Sequence, residues 1–337
     1  MAKQHKSQSS PRKRVQKGKR APQPFLLRKL AYVAIFVVIL VFGTAIWYVN
    51  QDRPAQENAE AFALNILEYF RDGENTPENL QYCLDILADK IPLSKGELID
   101  IKKSPVKDKF ALGGLPHGHK LKILRNTGYI VGYDESMKNP AWAAYRIEWK
   151  QNFKRASRPS KFKLDSRTVS QIKHENYTGS GFDRGHMAPN YGIAMSAGIK
   201  AQIETFLLSN IVPQSPNNNR KIWKRLEMRV AKRLSRRFKE IWVITGPIYY
   251  NESPKRLPPA QIAIPDAFYK ILIDEYEPTK IRSIAFIIPQ DVTGNEPLKP
   301  YLTSINRIEE LTGLTFFTRL APSAQKQLKE STPAFVW

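Results

Sequence analysis

The sequence is poor in cysteine and in acidic residues. Cys83 is the only cysteine among 337 residues, so an intramolecular disulfide framework and a zinc site built from cysteines are both excluded. Acidic side chains number 31 against 53 lysines and arginines, which gives a net charge of +22. A chain this basic favours anionic partners, such as nucleic acid or a phospholipid surface, and charge alone does not choose between them.

Acidic residues are absent from the first 29 positions, which carry ten lysines and arginines. Residues 1–24 also contain few large apolar side chains, so this segment cannot bury enough surface to offset the entropy of ordering. We therefore predict a disordered basic tail over residues 1–29. The rest of the chain keeps a positive balance of its own.

Charged side chains are also absent from residues 30–49, LAYVAIFVVILVFGTAIWYV. A run of this length matches the roughly 20 residues that a helix needs to cross a bilayer, so we predict a transmembrane helix. The alternative is the apolar region of a cleaved signal peptide, which usually runs only about 7 to 15 residues. The positive charges before the span predict a cytoplasmic amino end and a periplasmic or extracellular remainder. A mitochondrial inner-membrane location is the alternative.

The remainder of the chain divides into two predicted parts. Residues 50–106 are predicted to be a helical segment with a linker, with two short helices between 55 and 91. Short runs rich in Tyr, Trp, Ile and Val predict strands at residues 128–134, 141–149, 240–250 and 283–290. Helices are predicted at 219–239 and 300–313. Few of these helices are spaced as crossovers, so we predict an α+β domain over residues 107–337 with a largely antiparallel sheet.

A short motif, Asp183-Arg184-Gly185-His186, gathers groups that suit phosphodiester hydrolysis. The imidazole of His186 has an ordinary pKa of about 6.5, so at working pH it can accept a proton from water. The guanidinium of Arg184 keeps its charge and presents a planar fork that fits phosphate oxygens. We interpret Gly185 as allowing an unusual backbone angle and close approach of a substrate. The alternative is a core histidine paired with Asp183.

The helix predicted from Asn219 has an apolar stripe at steps of three and four, formed by Trp223, Leu226, Val230, Leu234 and Phe238. Glu227 borders this stripe, and a carboxylate there needs a positive or hydrogen-bonding partner. One interpretation is a salt bridge to a neighbouring arginine, and the other is a site acid that holds water around a metal.

Three asparagines, residues 217–219, open this helix. An asparagine oxygen suits a hard divalent cation, and a site with few protein ligands leaves Mg²⁺ its preferred waters. Turn formation is the alternative use of asparagines in a loop. At this stage both interpretations stay open.

Seven segments in order give the chain a family likeness: YDESMKNPAWAAYRI, SGFDRGHMAPN, TFLLSNIVPQ, NNNRKIWKRLE, VITGPIY, PDAFYKI and LTGLTFF. Over residues 107–320 the sequence resembles the sugar-non-specific DNA/RNA endonucleases, the endonuclease G-like group with the ββα-metal, or His-metal finger, fold. Several separate motifs agree, so the resemblance is specific.

The resemblance implies a role for each matching residue. His186 is then the general base, Asn219 the direct metal ligand, and Glu227 the acid that orients metal-bound water. Asn210 matches an active-site amide, and Arg184 matches an arginine that clamps the transition state. Arg158 matches a second active-site arginine, although the local spacing there departs from the family. Asp183 and Gly185 are expected to support the site.

The ligand assignment meets one departure from the family pattern. NNNRKIW stands where Asn-Gln-Gly is common, so Asn217 or Asn218 competes with Asn219 as the ligand. The four-residue step to Trp223 selects Asn219.

Ten lysines and arginines lie on the same helix, between residues 220 and 239. They predict either a track for a nucleic-acid backbone or an ordinary solvated face. The residues expected to contact nucleic acid are Arg158, Arg184, Arg220, Lys224 and Arg225.

Together these features predict a membrane-anchored, Mg²⁺-dependent, non-specific endonuclease acting on DNA, RNA or both, with Mn²⁺ as the alternative ion. The expected partners are nucleic acid, the membrane, a second copy of the chain and a protein inhibitor. The alternative functions are a phosphodiesterase for another substrate and a catalytically inactive receptor that binds nucleic acid outside the cytoplasm.

Overall fold

A computed structural model describes most of the chain, namely residues 43–71, 76–88, 90–91, 99–100, 113–116, 118, 120–277, 280–333 and 335–337. The predicted basic tail, most of the predicted transmembrane segment and the predicted boundary at residue 107 lie outside these residues. Within the described ranges no helix is both long enough and apolar enough to cross a membrane. The span at 30–49 therefore stays a prediction, and its described part is helical over residues 43–49.

Residues 60–337 form one compact unit. The two helices predicted between 55 and 91 are confirmed as α1, Arg53–Arg71, and α2, Glu78–Ala88. The later helices are α3, Asn190–Glu204; α4, a continuous helical run over residues 218–238; α5, Ile305–Thr312; and α6, Pro322–Glu330. Two segments of α4, Asn218–Trp223 and Arg229–Leu234, have π-helical hydrogen bonding, which is uncommon and recurs at functional sites.

The described strands of the main sheet follow the order β1-β12-β11-β8-β5-β4-β3, and β13 pairs with β12. Their bounds are Ile99–Asp100 (β1), Lys122–Arg125 (β3), Tyr129–Asp134 (β4), Asn139–Glu148 (β5), Glu240–Ile248 (β8), Ala267–Glu277 (β11), Lys280–Pro289 (β12) and Leu302–Thr303 (β13). Neighbouring strands in this sheet all run antiparallel. The predicted α+β class with an antiparallel sheet is confirmed.

Smaller antiparallel pairs complete the set of described strands. They are β2, Leu115–Pro116, with β14, Leu314–Thr315; β6, Asp183–His186, with β7, Ile211–Gln214; and β9, Arg256–Leu257, with β10, Ile262–Ala263. The pair β6 and β7 carries the motif singled out above.

Helices cover both faces of the main sheet. Strand side chains alternate between the two faces, so Tyr145 and Leu272 join the apolar core beneath α3 and α4, while Ala144 and Ile271 join the core beneath α5 and α6. Four residues of the predicted stripe on α4, from Trp223 to Leu234, are buried, and Phe238 is partly buried. The Trp223 ring lies 5.7 Å from the Phe268 ring. The sheet therefore fixes α4 from below.

Strand β11 was missing from the sequence-based strands, because charges interrupt its apolar run. Lys270 and Asp274 are both buried in it. Asp274 accepts a 2.8 Å hydrogen bond from Arg282 on β12, and Lys270 faces α4. Helix α3 was also missing, because Gly192 and Gly198 lie inside it and glycine weakens a helical pattern.

The far end of α4 is held by α2 and by the last residues of the chain. The buried carboxylate of Asp85 accepts hydrogen bonds of 2.8 and 2.9 Å from Arg233 and a longer one of 3.5 Å from Arg71. Arg229 is buried as well and donates to the carbonyls of Val336 and Trp337. Of the ten basic residues on this helix, Arg229 and Arg233 therefore bind groups inside the protein.

We predict that Asp85→Ala lowers the free energy of unfolding by about 3 kcal/mol, because two arginines lose a buried acceptor. Urea denaturation of the full chain measures this change. The matched control is Glu310→Ala, which removes the exposed 2.9 Å pair with Arg307 and should cost less than about 1 kcal/mol. Equal losses in the two variants would contradict the prediction.

Candidate active site

The predicted site residues gather on a strand pair followed by a helix. β6 and β7 are antiparallel, with His186 opposite Ile211 and Asp183 opposite Gln214. The chain leaves β7 and enters α4 after three residues. The motif strand and the asparagine cluster are therefore neighbours in the fold.

His186 lies among aromatic rings. Its imidazole centroid is 5.3 Å from the Phe162 ring and 5.1 Å from the Phe206 ring. Its Nε2 atom is buried without a hydrogen-bond partner. Burial, assisted by the charge of Arg158, lowers the pKa of His186 to about 3. The ring is therefore neutral at physiological pH, with an unused nitrogen.

Asp183 connects β6 to the start of α4. Its carboxylate accepts a 2.9 Å hydrogen bond from Nδ2 of Asn219 and bonds of 2.7 and 2.6 Å from the Arg220 guanidinium. Burial alone would raise the pKa of Asp183, but the hydrogen bonds from Arg220 and Asn219 bring it below the usual value. The alternative of a histidine paired with Asp183 is not what the structure shows, since these partners lie on α4.

The three asparagines occupy different environments. Asn218 is fully buried, its Oδ1 accepts from Gln214 at 2.8 Å, and its Nδ2 donates to the Pro289 carbonyl at 2.6 Å. Asn217 is exposed, whereas Asn219 is half-buried. Because Nδ2 of Asn219 is bound to Asp183, its amide oxygen is turned away from that carboxylate. Asn219 is thus the half-buried asparagine whose amide is oriented by Asp183.

Gly185 leaves space for a neighbouring side chain and does not adopt the unusual backbone angle that was expected. Its φ is not positive, so the interpretation as an unusual backbone angle is wrong. A Cβ at this position would lie 2.3 Å from Oε1 of Gln214, because that side chain crosses the strand on its way to Asn218. Glycine is needed here for the close packing of Gln214, and no signal in the sequence singled out Gln214.

Asn210 supports the motif strand from behind. It is fully buried; its Oδ1 accepts from the Ala188 amide at 2.8 Å, and its Nδ2 donates to the carbonyls of Ala188 and Thr205 at 3.0 Å. Direct contact of this amide with a substrate would require breaking these bonds. In this structure Asn210 thus holds the segment after His186 in place, and its role as an active-site amide stays a prediction.

Arg184 extends beside His186 but is held by a neighbouring loop. Its guanidinium donates to the His174 carbonyl at 2.7 Å and to the Thr178 hydroxyl at 3.0 Å. It also lies 6.0 Å from the Phe162 ring, which contacts His186 on another side. Burial lowers the pKa of Arg184 from its usual value, although the group stays charged.

Arg158 lies near His186, on the aromatic ring that both residues contact. Its side chain is exposed, and its guanidinium lies 5.7 Å from the Phe206 ring that also packs on His186. Its charge lowers the pKa of both His186 and Asp183. The structure thus brings this arginine to the site despite the unusual local spacing.

Glu227 lies two turns beyond Asn219 on α4, above a buried lysine. Its Oε1 atom is buried without a hydrogen-bond partner. Burial raises the pKa of Glu227 to about 7 against the opposing charge of Lys270. The Nζ atom of Lys270 lies 4.3 Å from the Trp223 ring and 3.3 Å from the Tyr145 hydroxyl. Lys270 is a charge partner that the sequence did not reveal, because it comes from distant β11.

Two of the three side chains on α4 that are predicted to contact nucleic acid bind other groups of the protein. Arg220 binds Asp183, and Arg225 donates to the carbonyls of Gly294 and Glu296. Lys224 is exposed.

A second cationic surface, with more exposed charge available to bind phosphates, lies in residues 150–163. This stretch contains no acidic residue and exposes six basic side chains: Lys150, Lys154, Arg155, Arg158, Lys161 and Lys163. This acid-free stretch was visible in the sequence, and its importance was missed.

The donor set suits a hard cation held by few protein atoms. Asn219 offers an oriented neutral oxygen, and Glu227 has a buried carboxylate oxygen that needs a partner. Across the part of the chain that the structure describes, no group of three or more His, Cys, Asp or Glu side chains could hold a metal. An ion with one asparagine ligand keeps most of its waters, as Mg²⁺ prefers. The residues present therefore fit the predicted ion.

Comparison with known proteins gives consistent results. The family model for DNA/RNA non-specific endonucleases matches residues 108–323. The human mitochondrial nuclease EXOG is 33% identical over 210 residues, covering 58% of this chain and 56% of that protein. Bovine mitochondrial endonuclease G is 28% identical over 234 residues, covering 63% of this chain and 73% of that protein.

The fold is similar to that of a solved structure of the EndoG/EndoGI complex, with a TM-score of 0.55 and 26% sequence identity. That structure describes how EndoG is inhibited. The match covers 63% of this chain and 90% of that one. The mouse and human EXOG proteins are matched over 57% and 56% of their length. The chain thus spans a little more than half of these relatives.

We predict that His186 does not titrate between about pH 5 and 8, where an ordinary histidine does. Nitrogen chemical shifts of the imidazole, followed by NMR, measure this directly. Arg158→Ala should raise the pKa of His186 while leaving it below the ordinary value, because burial is the larger cause of the shift. A midpoint near 6.5 in the unmodified protein would contradict the described burial.

Proposed function

Because this chain belongs to the family of DNA/RNA non-specific endonucleases, we propose that it is an endonuclease that hydrolyses phosphodiester bonds of DNA, RNA or both. The observation that carries this proposal is the neutral imidazole of His186, with a buried and unused Nε2. It lies on the strand whose Asp183 also orients the amide of Asn219. A proton acceptor and an oxygen donor for a cation are thereby built into one strand pair and helix.

His186 acts as the general base in the proposed reaction. Its Nε2 takes a proton from water while the water oxygen forms a bond to phosphorus. The bond from phosphorus to the 3′ oxygen breaks, and that oxygen takes a proton from solvent. A bound phosphate beside the ring adds negative charge, which raises the imidazole pKa and makes the ring a stronger base.

Asn219 is the proposed ligand for Mg²⁺, with Mn²⁺ as the alternative, and Glu227 is the proposed acceptor for a water bound to the ion. When bound, the ion supplies positive charge that stabilises the phosphate and the leaving oxygen. The charge of Lys270 favours the ionised carboxylate of Glu227. Lys270 thereby offsets part of the effect of burial, which raises the pKa of Glu227 to about 7.

The two arginines take different parts in the proposed site. Arg158, exposed beside His186, is the clamp for the phosphate oxygens, since its fork is accessible. Arg184 binds the loop at His174 and Thr178 and adds fixed positive charge behind the base. Recognition through phosphates carries little sequence information, which is consistent with a non-specific enzyme.

We further propose the membrane topology that the sequence alone supports. Residues 1–29 form the cytoplasmic tail, 30–49 the transmembrane helix, 50–106 the helical segment and linker, and 107–337 the nuclease domain outside the cytoplasm. A protein inhibitor is proposed by analogy with the EndoG/EndoGI complex. Pairing with a second copy rests on the family resemblance alone.

We predict that His186→Ala lowers the rate of Mg²⁺-dependent plasmid nicking by at least about 100-fold, because the general base is lost. Asn219→Ala should also lose activity and require more Mg²⁺ for what remains. Asn217→Ala, two residues away and exposed, is the matched control and should nick at the normal rate.

Two outcomes of this assay would contradict the proposal. Normal nicking by Asn219→Ala, with loss of nicking in Asn217→Ala, would show that Asn217 and not Asn219 is the ligand of the ion. DNA binding without cleavage by the unmodified protein would favour the inactive receptor.

We predict that neutralising the loop at residues 150–163 weakens binding of a DNA duplex. Lys154→Gln with Lys161→Gln should reduce the slope of log affinity against log salt by about 1.8, because each phosphate contact contributes about 0.9. The control is Arg319→Gln with Lys326→Gln, two exposed cations at α6 on the opposite face of the sheet. Equal salt slopes in the two double variants would contradict this location for the substrate.

A further inference from the structure

Helix α1 has apolar or buried stripes on two nearly opposite sides. The inner stripe packs against the protein and consists of Glu60, Leu64, Leu67 and Arg71. The outer stripe consists of Phe62, Ile66, Tyr69 and Phe70, with exposed fractions of 68, 41, 79 and 59%. At 3.6 residues per turn the outer stripe covers about 100° of the helix and is centred about 145° from the inner one.

This exposure is not scattered. The outer residues follow the spacing of a single helical face, and the Tyr69 and Phe70 rings contact each other edge to face at 5.5 Å. Helix α2 also exposes Leu80, Ile86 and Leu87. Clusters of this kind mark interaction surfaces, because soluble surfaces seldom gather so many large apolar side chains.

The position of α1 in the chain indicates what covers the outer stripe. Its first residue, Arg53, follows the predicted transmembrane segment after only residues 50–52. Such a link spans at most roughly 14 Å, so α1 begins close to the membrane surface if the segment spans. The outer stripe contains two phenylalanines and a tyrosine, the side chains that favour the boundary between headgroups and acyl chains.

We propose that the outer stripe of α1 lies in the lipid interface and makes a second contact between this protein and the membrane. This inference rests on the proposed membrane anchor and does not depend on nuclease activity. The chain connection favours lipid over a second copy of the chain, because it places the start of α1 next to the proposed transmembrane helix.

The contact would orient the candidate active site relative to the membrane. Arg71, at the end of α1, donates to Asp85 and to the Val336 carbonyl, and Asp85 also accepts from Arg233 on α4. A membrane contact made by α1 is therefore transmitted through buried polar contacts to the helix that carries Asn219.

The test uses the full chain in vesicles of phosphatidylcholine and phosphatidylglycerol. Cys83, exposed and the only cysteine, is replaced by serine, and a single cysteine is introduced as Tyr69→Cys or Val169→Cys. Both positions are 79% exposed, so they are matched. Each is labelled with a fluorophore that responds to polarity.

We expect emission from position 69 to shift to the blue and to be quenched by nitroxides on the lipid chains, with neither change at position 169. Equal behaviour of the two labels in membrane-bound protein would overturn the proposal. Self-quenching at position 69 that depends on protein concentration, without quenching by lipid nitroxide, would assign the face to a second copy and also overturn it.

Two measurements on the same vesicles separate this inference from the other proposals. Release of the protein by alkaline carbonate, with no quenching at position 69, would overturn both the anchor and the lipid contact. Plasmid nicking, measured in parallel, tests the nuclease proposal alone. Quenching at position 69 in an inactive protein would support the lipid contact while rejecting the enzyme.

Discussion

The bond between Asp183 and the start of α4 is the interaction on which the site depends. One carboxylate accepts from the Asn219 amide and from Arg220, and it does so from the strand that carries His186. Since the amide nitrogen of Asn219 is occupied, its oxygen has a fixed orientation. The opposite side of the same strand pair is closed by Gln214, whose side chain crosses Gly185 and binds Asn218. The proposed proton acceptor, His186, and the proposed metal ligand, Asn219, are therefore held by one network.

Helix α4 connects this network to the rest of the molecule through buried polar groups. Near its middle, Glu227 lies over Lys270 of β11, and near its far end Arg233 binds Asp85 of α2. Buried charges of this kind are costly unless they are paired, so each pair specifies one position of the helix. The apolar stripe packs α4 against the sheet, and the polar pairs fix the position and the rotation of the helix about its axis. Both therefore determine where Asn219 and Glu227 lie in the candidate site.

The sequence predicted the architecture well and the environments of single side chains less well. Apolar periodicity located β4, β5, β8, β12 and the buried stripe of α4, because those segments are locally consistent. It missed β11, because Lys270 and Asp274 interrupt the apolar run and the charge partner of Lys270, Glu227, lies far away in the chain on α4. Partners that are not adjacent in the chain also determine the environments of Asn210 and Gly185. Asn210 binds the backbone of Ala188, and Gly185 leaves space for the side chain of Gln214. The inward contacts of Arg229 and Arg233 on helix α4 were hidden for the same reason, since their acceptors are a carbonyl of the last residues and Asp85 of α2.

The central claim is that Asn219, oriented by Asp183, is the protein ligand of a largely hydrated ion beside a neutral His186. Anomalous diffraction from a crystal of the protein soaked with Mn²⁺ tests this claim most directly. The account predicts one strong peak at bonding distance from the amide oxygen of Asn219, with waters as the other ligands and the Glu227 carboxylate reaching one of them. A peak bound to the carboxylate of Asp183, or to the amide of Asn217 or Asn218, would contradict it.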